Sequence, residues 1–434
     1  MDSKKSRTNW PLPFAEAVDV GVSAECLKNI RPLLQKYIDQ GKVPGFATLI
    51  ARHGKIVYYD ALGYMDIESR KAVQTETIFR MWSNSKPIAG VATMICVEEG
   101  LLSLDDPVSR FIPEFKNTRV RIDELEWLCE KGFPPPHGMT PTIPSNREIT
   151  LRDCLRNTTG LVQQNTATIQ YLTEFHGIIE ESGLLDPPTK QPDNLRKMMG
   201  AMAKLPLAAQ PGTRFTYQVG YPVIGQAIEM ATGKSLEEFY RERIFQPLGM
   251  NDSSFYLPKE KLGRFSTCYY VESETGKSKL AVLERPEESE RLQGPQTYFE
   301  AGGGRGGICT TAGDYARFAQ MLLNGGELDG KRILSRKSVE LMTSSHTGDV
   351  RVTIPGPQGY GFGLGVGVYK GGDVSTLRSP GTYGWTGAAG TSYFADPKED
   401  LVCIIFTQVF MHKMIPDNLY QEEFERLVYQ ALVS

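Results

Sequence analysis

Apolar residues recur at Ile88, Val91, Ala92 and Ile95, the spacing of one buried helical face, and Gly100 follows as a stop signal. The pattern predicts a helix from Ser83 to Glu99. Pro87 lacks an N–H and would clash with a carbonyl one turn earlier, so it is tolerated only in the first turn and pins the helix start near Ser83. Upstream, Leu27, Ile30, Leu34 and Ile38 mark a helix capped by Ser23 and closed at Gly41. Phe46 to Ala51 and Lys55 to Gly63 read as two strands joined at Arg52-His53-Gly54, with His53 an exposed turn residue.

The segment from Asn117 to Glu148, with Pro134-Pro135-Pro136-His137, reads as a long loop, either a functional wall or an insertion. Thr150 caps a short helix over 149–155, and a helical region continues to Leu205. Pro211-Gly212-Thr213-Arg214-Phe215-Thr216 turns the chain and delivers Tyr217 just before a helix over Pro222–Thr232; Ser235 and Glu238 form the capping box of the next helix. Glu272 to Pro295 is charged and lacks apolar periodicity, which predicts an exposed excursion. The glycine run Glu300 to Gly307 has no phosphate-binding frame and predicts a tight turn or a close backbone approach. Helices open at Thr311 or Asp314 and at Ser335. Strands follow at 359–366, 382–385, 390–395 and 401–409, and a helix over Asn418–Leu432 closes the chain. The sheet is therefore built from both ends of the chain, with a mainly helical region between them.

Length and composition narrow the function. A chain of 434 residues with 40% hydrophobic content can bury a large core, and a net charge of −3 leaves no basic footprint for nucleic acid. The expected partner is a small molecule. No apolar run is long enough for a signal peptide or a membrane span, so a soluble cytoplasmic protein is expected. The seven cysteines are scattered without ligand spacing and read as free thiols of a reducing compartment. The five histidines form no metal motif, so neither a metal nor a cofactor is expected, and without a G-x-S-x-G the strand-to-helix nucleophile elbow has no candidate.

The candidate chemistry sits at Ser83-x-x-Lys86, a pattern found nowhere else in the sequence. Residues three apart share a helical face, so Lys86 can reach the Ser83 hydroxyl, and the helix start favours negative charge developing there. One reading is an activated nucleophile; the other is a helix cap with a solvated lysine. Tyr217 likewise reads either as an aromatic anchor or as a site residue. Trp127 and Trp385 are candidate pocket walls, with core packing the other account for Trp127.

Ser83-x-x-Lys86, Tyr217 after Pro-Gly-Thr-Arg-Phe-Thr, and Trp385-Thr386-Gly387 occur in the order and spacing of the serine β-lactamase and penicillin-binding-protein superfamily. The chain most resembles its class C-like branch and, within it, the family VIII carboxylesterases. The stretches from Gly304 to Phe318 and from Leu322 to Gly330 carry the likeness further, and it runs from about residue 20 to the C-terminus. It implies an α+β fold of the β-lactamase/DD-peptidase type. An antiparallel sheet domain flanked by helices (1–80 and 297–434) and an inserted, mainly helical domain (81–296) would hold the active site between them.

The resemblance implies Ser83 as nucleophile, Tyr217 as general base and acid, and Lys86 as the group holding Tyr217 towards phenolate. It puts the oxyanion hole at the backbone N–H groups of Ser83 and Ala388, and substrate contacts at Trp385, Gly387 and Val219. Two departures matter. Tyr217-Gln218-Val219 stands where the β-lactamases carry Tyr-x-Asn, so the amide that holds the lysine is expected to be missing; Trp385 replaces the lysine that binds a drug carboxylate. Both favour a neutral acyl ester. The implied activity is a carboxylesterase working through an acyl-serine, with acyltransferase, weak β-lactamase or amide hydrolase, and a silent binding protein as alternatives. Natural substrate, acyl length and oligomeric state stay open.

Overall fold

The computed structural model describes residues 11–136, 139–161, 195–274, 277–289, 301–303, 306–353, 359–372 and 376–433. An eight-stranded sheet forms the spine. Its strands are β1 (Gly45–Arg52), β2 (Lys55–Asp66), β3 (Lys71–Ala72), β4 (Tyr360–Phe362), β5 (Gly367–Tyr369), β6 (Tyr383–Thr386), β7 (Ser392–Asp396) and β8 (Leu401–Phe406). They lie in the order β4-β5-β6-β7-β8-β1-β2-β3, and every neighbouring pair is antiparallel. The centre of the sheet joins the two ends of the sequence, with Ala47 opposite Phe406 and Arg52 opposite Leu401.

Both central strands are buried along their whole length, because each face of the sheet carries helices. Side chains alternate between faces, and the core divides accordingly. Ala47, Leu49, Val402, Ile404 and Phe406 pack with Ile88, Val91, Ala92 and Ile95 of α2 (Lys86–Glu98) and with Tyr315 and Phe318 of α4 (Ala312–Leu323). Phe46, Ile50, Leu401, Cys403 and Ile405 point the other way, to Leu34 and Tyr37 of α1 (Ile30–Asp39) and to Phe424 and Val428 of α5 (Tyr420–Gln430). The nucleophile candidate belongs to the first face. On the second, a cavity of about 750 Å³ opens between β6–β8 and α5.

Several expectations are corrected. The helix capped by Ser23 is two pieces, Ala24–Leu27 and α1, divided at Lys28-Asn29. The segment from Asn117 to Glu148 is ordered into a strand pair, Arg119–Arg121 with Thr142–Pro144, enclosing a helix Glu124–Lys131 capped by Asp123; residues 137–138, including His137, lie outside the described residues. The charged stretch expected as an excursion contributes a hairpin, Cys268–Glu274 with Lys277–Glu284, joined in parallel to Val409–Phe410. Its alternation is carried by Tyr269, Val271, Leu280 and Val282, which lean on the second core, while Glu272 and Lys279 pair on the other side at 2.9 Å. The single strand expected over 359–366 is a hairpin of β4 and β5. It turns at Gly365, whose φ of +97° is left-handed and whose hypothetical Cβ would lie 2.6 Å from the Lys86 carbonyl.

Much of the helical region expected up to Leu205, residues 162–194, lies outside the described residues, as do Glu300, Gly304 and Arg305 of the glycine run. Among the described residues, no helix is long and apolar enough to cross a membrane, and no cluster of His, Cys, Asp or Glu is arranged to hold a metal.

Candidate active site

Three backbone clamps fix the approach to Ser83. Phe79–Arg80 pairs with Cys309–Thr310, the Arg80 N–H donates to the side-chain carbonyl of Gln408 at 2.7 Å, and the Met81 N–H donates to the Ile308 carbonyl at 2.9 Å. The chain then enters a 3₁₀ turn, Trp82–Ser85, before α2 begins at Lys86. Ser83 thus sits one turn ahead of the α-helix rather than at its first residue. Trp82 takes a φ of +49°, a conformation costly for a bulky residue, and such strain collects at functional turns. Its carbonyl is met by Gly303, where a Cβ would lie 1.8 Å away. The glycine run therefore makes the close backbone approach expected of it.

Lys86 has no exposed surface and Ser83 is 8% exposed. The lysine Nζ donates to Ser83 Oγ at 3.1 Å, to the Gly302 carbonyl at 2.6 Å and to the side-chain carbonyl of Gln218 at 2.9 Å. It also lies over the rings of Tyr217 and Tyr221, 4.7 and 4.9 Å from their centroids. These oxygens and ring faces compensate a cation taken out of water, which the positive end of the helix dipole does not. The solvated-lysine reading does not describe this side chain.

Tyr217 is delivered as expected, directly ahead of α3 (Tyr221–Thr232). Its hydroxyl accepts the indole N–H of Trp385 at 2.7 Å, and its ring stacks on Phe215 at 6.1 Å. Trp385, on β6, packs edge-on to Phe362 with centroids 4.7 Å apart. Gly387 ends that strand against the Met81 carbonyl, which a Cβ there would approach to 2.3 Å. The next residue, Ala388, has its carbonyl held by the Met411 N–H at 2.8 Å, and Thr391 Oγ1 donates to the Met81 carbonyl at 3.1 Å. The turn after Trp385-Thr386-Gly387 thus lies directly against the turn that carries Ser83. Val219 is 9% exposed and belongs to the main core. Trp127 packs edge-on to Phe133 at 6.4 Å, and His53 is an exposed turn residue beside Asp400.

The expected loss of the lysine-holding amide is corrected. Gln218 supplies an amide one position earlier in the motif, reaching Lys86 at 2.9 Å and Ser83 Oγ at 3.4 Å. It does so from a left-handed backbone, φ +77°, and its own N–H donates to the side-chain carbonyl of Asn157 at 2.8 Å. Asn157 is itself left-handed at φ +59°, fully buried, and accepts the Thr216 N–H at its backbone carbonyl at 2.7 Å. Asp153 anchors this loop, accepting from Thr158 Oγ1 at 3.1 Å and from Arg156 at 2.8 Å. No motif in the sequence marks Gln218, Asn157 or the Gly302 carbonyl; only their adjacency to Tyr217 and to the glycine run could have drawn notice.

A family model described as Beta-lactamase matches residues 30–423. Protein Rv1367c of Mycobacterium tuberculosis is 32% identical over 387 residues, covering 86% of this chain and 88% of that protein. A lovastatin esterase of Penicillium rubens is 28% identical over 388 residues, covering 85% and 89%. Among solved structures, EstCE1, described as a hydrolase with promiscuous acyltransferase activity, superposes with a TM-score of 0.70 at 26% identity, covering 93% of this chain and 98% of its own.

Proposed function

The chain belongs to the beta-lactamase family, and from that premise we propose that it is a serine hydrolase that cleaves small carboxylic esters through an acyl-Ser83 intermediate. The observation that carries the reading is the buried Lys86 Nζ held 3.1 Å from Ser83 Oγ at a fixed turn. Ser83 Oγ attacks the ester carbonyl carbon while its proton passes to Tyr217, held towards phenolate by the Lys86 ammonium over its ring. The tetrahedral oxyanion is met by the backbone N–H groups of Ser83 and Ala388. On collapse the acyl–oxygen bond breaks and the alcohol leaves with a proton delivered through Tyr217. Water then adds to the acyl-serine by the same relay in reverse and releases the carboxylic acid.

Two features support an ester over a β-lactam. Trp385 occupies the position where the resemblance expects a lysine for a drug carboxylate, and its indole N–H is engaged by Tyr217. The esterase named among the relatives points the same way. Transfer of the acyl group to an alcohol is the second reading, favoured by the likeness to EstCE1.

The test is hydrolysis of p-nitrophenyl butyrate by the wild type and by Ser83→Ala, with a chromogenic cephalosporin alongside and butanol added in a parallel series. Ester turnover lost in the variant, with little cephalosporin cleavage, supports the esterase. Butyl butyrate formed in preference to butyrate moves the transferase ahead. Equal turnover by both proteins sinks the covalent mechanism.

A further inference from the structure

We propose that the cavity on the sheet face opposite Ser83 is a second binding site, one that takes an uncharged, largely apolar molecule carrying a single carbonyl or hydroxyl group. The proposal goes beyond the esterase reading and does not depend on it. The cavity, about 750 Å³, is bounded by β6, β7 and β8 on one side and by α5 on the other. That volume suits a small organic ligand.

The room comes from the sequence of β6. Side chains alternate between the faces of a strand, and Tyr383 and Trp385 belong to the first core, so β6 has only Gly384 and Thr386 to present to the second face. A Cβ at Gly384 would lie 2.2 Å from the Tyr393 carbonyl, so no side chain can raise the floor there. On β7, Ser392 stands opposite Thr386. Helix α5 buries Phe424 and Val428 in the second core with Cys403 and Ile405 of β8. A gap therefore remains where the strands present a glycine and two short hydroxyl side chains.

The lining decides the class of ligand. Its charged side chains are three of each sign, Arg378, Lys413 and Arg426 against Glu422, Glu423 and Glu425. They are partnered within the protein. Glu425 accepts from Arg378 and from Thr376 Oγ1, both at 2.6 Å, and Lys413 pairs with Glu422 at 3.4 Å. Glu423 accepts the Tyr37 hydroxyl at 2.7 Å, and Arg426 donates to the Gln430 side-chain carbonyl at 3.3 Å. An entering ion would give up its hydration and meet no net charge in return.

The hydroxyls of Thr386 and Ser392, neighbours across β6 and β7, take no hydrogen bond from the protein among the described residues. A hydroxyl can donate and accept, which matches a carbonyl or an alcohol. At the mouth, Leu377 and Leu419 line the cavity while remaining 57% and 52% exposed. They offer apolar surface to the body of the ligand.

The experiment uses the full chain and Prodan (6-propionyl-2-dimethylaminonaphthalene), an uncharged ketone whose emission shifts to the blue in apolar surroundings. Fluorescence titrations compare the wild type, Ser392→Phe and the double variant Leu377→Glu, Leu419→Glu. Bound Prodan is then displaced with 2-octanone or with octanoate, which match in chain length and differ in charge.

Saturable one-to-one binding is expected in the wild type. Ser392→Phe puts a ring on the cavity floor and is expected to raise Kd by about tenfold or more, and two carboxylates at the mouth by about fivefold or more. Displacement by 2-octanone is expected at concentrations about tenfold below those needed with octanoate. Absence of saturable binding, or a Kd within about twofold of wild type in either folded variant, would overturn the site. Octanoate displacing the probe as well as 2-octanone would overturn the uncharged class. Leu377 and Leu419 are exposed, so the double variant decides the matter even if Ser392→Phe does not fold. Prodan binding is expected to be unchanged in Ser83→Ala, so the esterase and the second site stand or fall separately.

Discussion

The indole N–H of Trp385 and the hydroxyl of Tyr217 lie 2.7 Å apart, a tryptophan donating to a tyrosine oxygen in the half-buried wall of the site. The bond fixes the phenol from the strand side while Lys86 approaches its ring from the helix side. Trp385→Phe keeps the packing on Phe362 but removes the donor. It is expected to lower kcat for p-nitrophenyl butyrate by roughly five- to tenfold, the worth of about one hydrogen bond, with little change in melting temperature. Loss of stability without loss of kcat would make Trp385 a core residue only.

Gly303 carries the tightest backbone approach in the site. Gly303→Ala forces a Cβ against the Trp82 carbonyl at a φ of +92°. The variant is expected to lose about 3 kcal/mol of stability or more in urea unfolding, and ester turnover with it. A variant as stable as the wild type would mean that the turn relaxes freely, contrary to the strain at Trp82.

Legibility from sequence followed the range of the interactions. Ser83 and Lys86 were readable because helical periodicity, Pro87 and a four-residue spacing are local signals. The central strands were readable because continuous burial leaves long apolar runs. The hairpin over 268–284 was missed because its buried side chains alternate with charges that pair across strands, which from one chain looks like a solvated loop. Gln218 carries no such signal because its contact with Lys86 depends on a left-handed backbone set by Asn157, 61 positions away. The motif prescribes an amide at position 219, and the fold supplies one from the neighbouring Gln218.

Asp153 tests the loop that carries Asn157. Burial pushes its carboxyl pKa up, but hydrogen bonds from Arg147, Thr150 and Arg156 outweigh this and hold it below the ordinary value. A depressed native pKa contributes stability that is present above the unfolded value near ~3.9 and lost as pH falls through the native one. Asp153→Asn is expected to cost about 3 kcal/mol at pH 7, since two arginines lose their charged partner, and to flatten the fall in stability below about pH 4. Urea unfolding at stepped pH measures both. An unchanged acid slope would remove Asp153 from the account.

His412 gives a second acid signature at higher pH. Burial, with Lys413 adding to it, pushes its pKa down to about 3. The unfolded chain takes up a proton below about pH 6.5 while the folded one does not. Stability present above pH 6.5 is therefore expected to decline steadily as pH falls towards 3, by about 3 kcal/mol at pH 4. His412→Phe cannot protonate and should show a shallower decline over pH 6.5 to 4 in the same titration. Parallel curves for the two proteins would exclude His412 as its source.

The clamp on the turn that carries Ser83 also orders events in time. The Arg80 N–H is tied to Gln408 across 328 positions, and Thr391 reaches Met81 across 310. Loop closure over such distances comes late and slowly, because its entropy must be spent before the contacts form. During synthesis Ser83 leaves the ribosome long before either partner exists, so the nascent chain holds a serine of ordinary reactivity. On the proposed mechanism, hydrolytic capacity would arise only when the segment carrying Thr391 and Gln408 docks, and a chain truncated before Gln408 is expected to be inert towards esters.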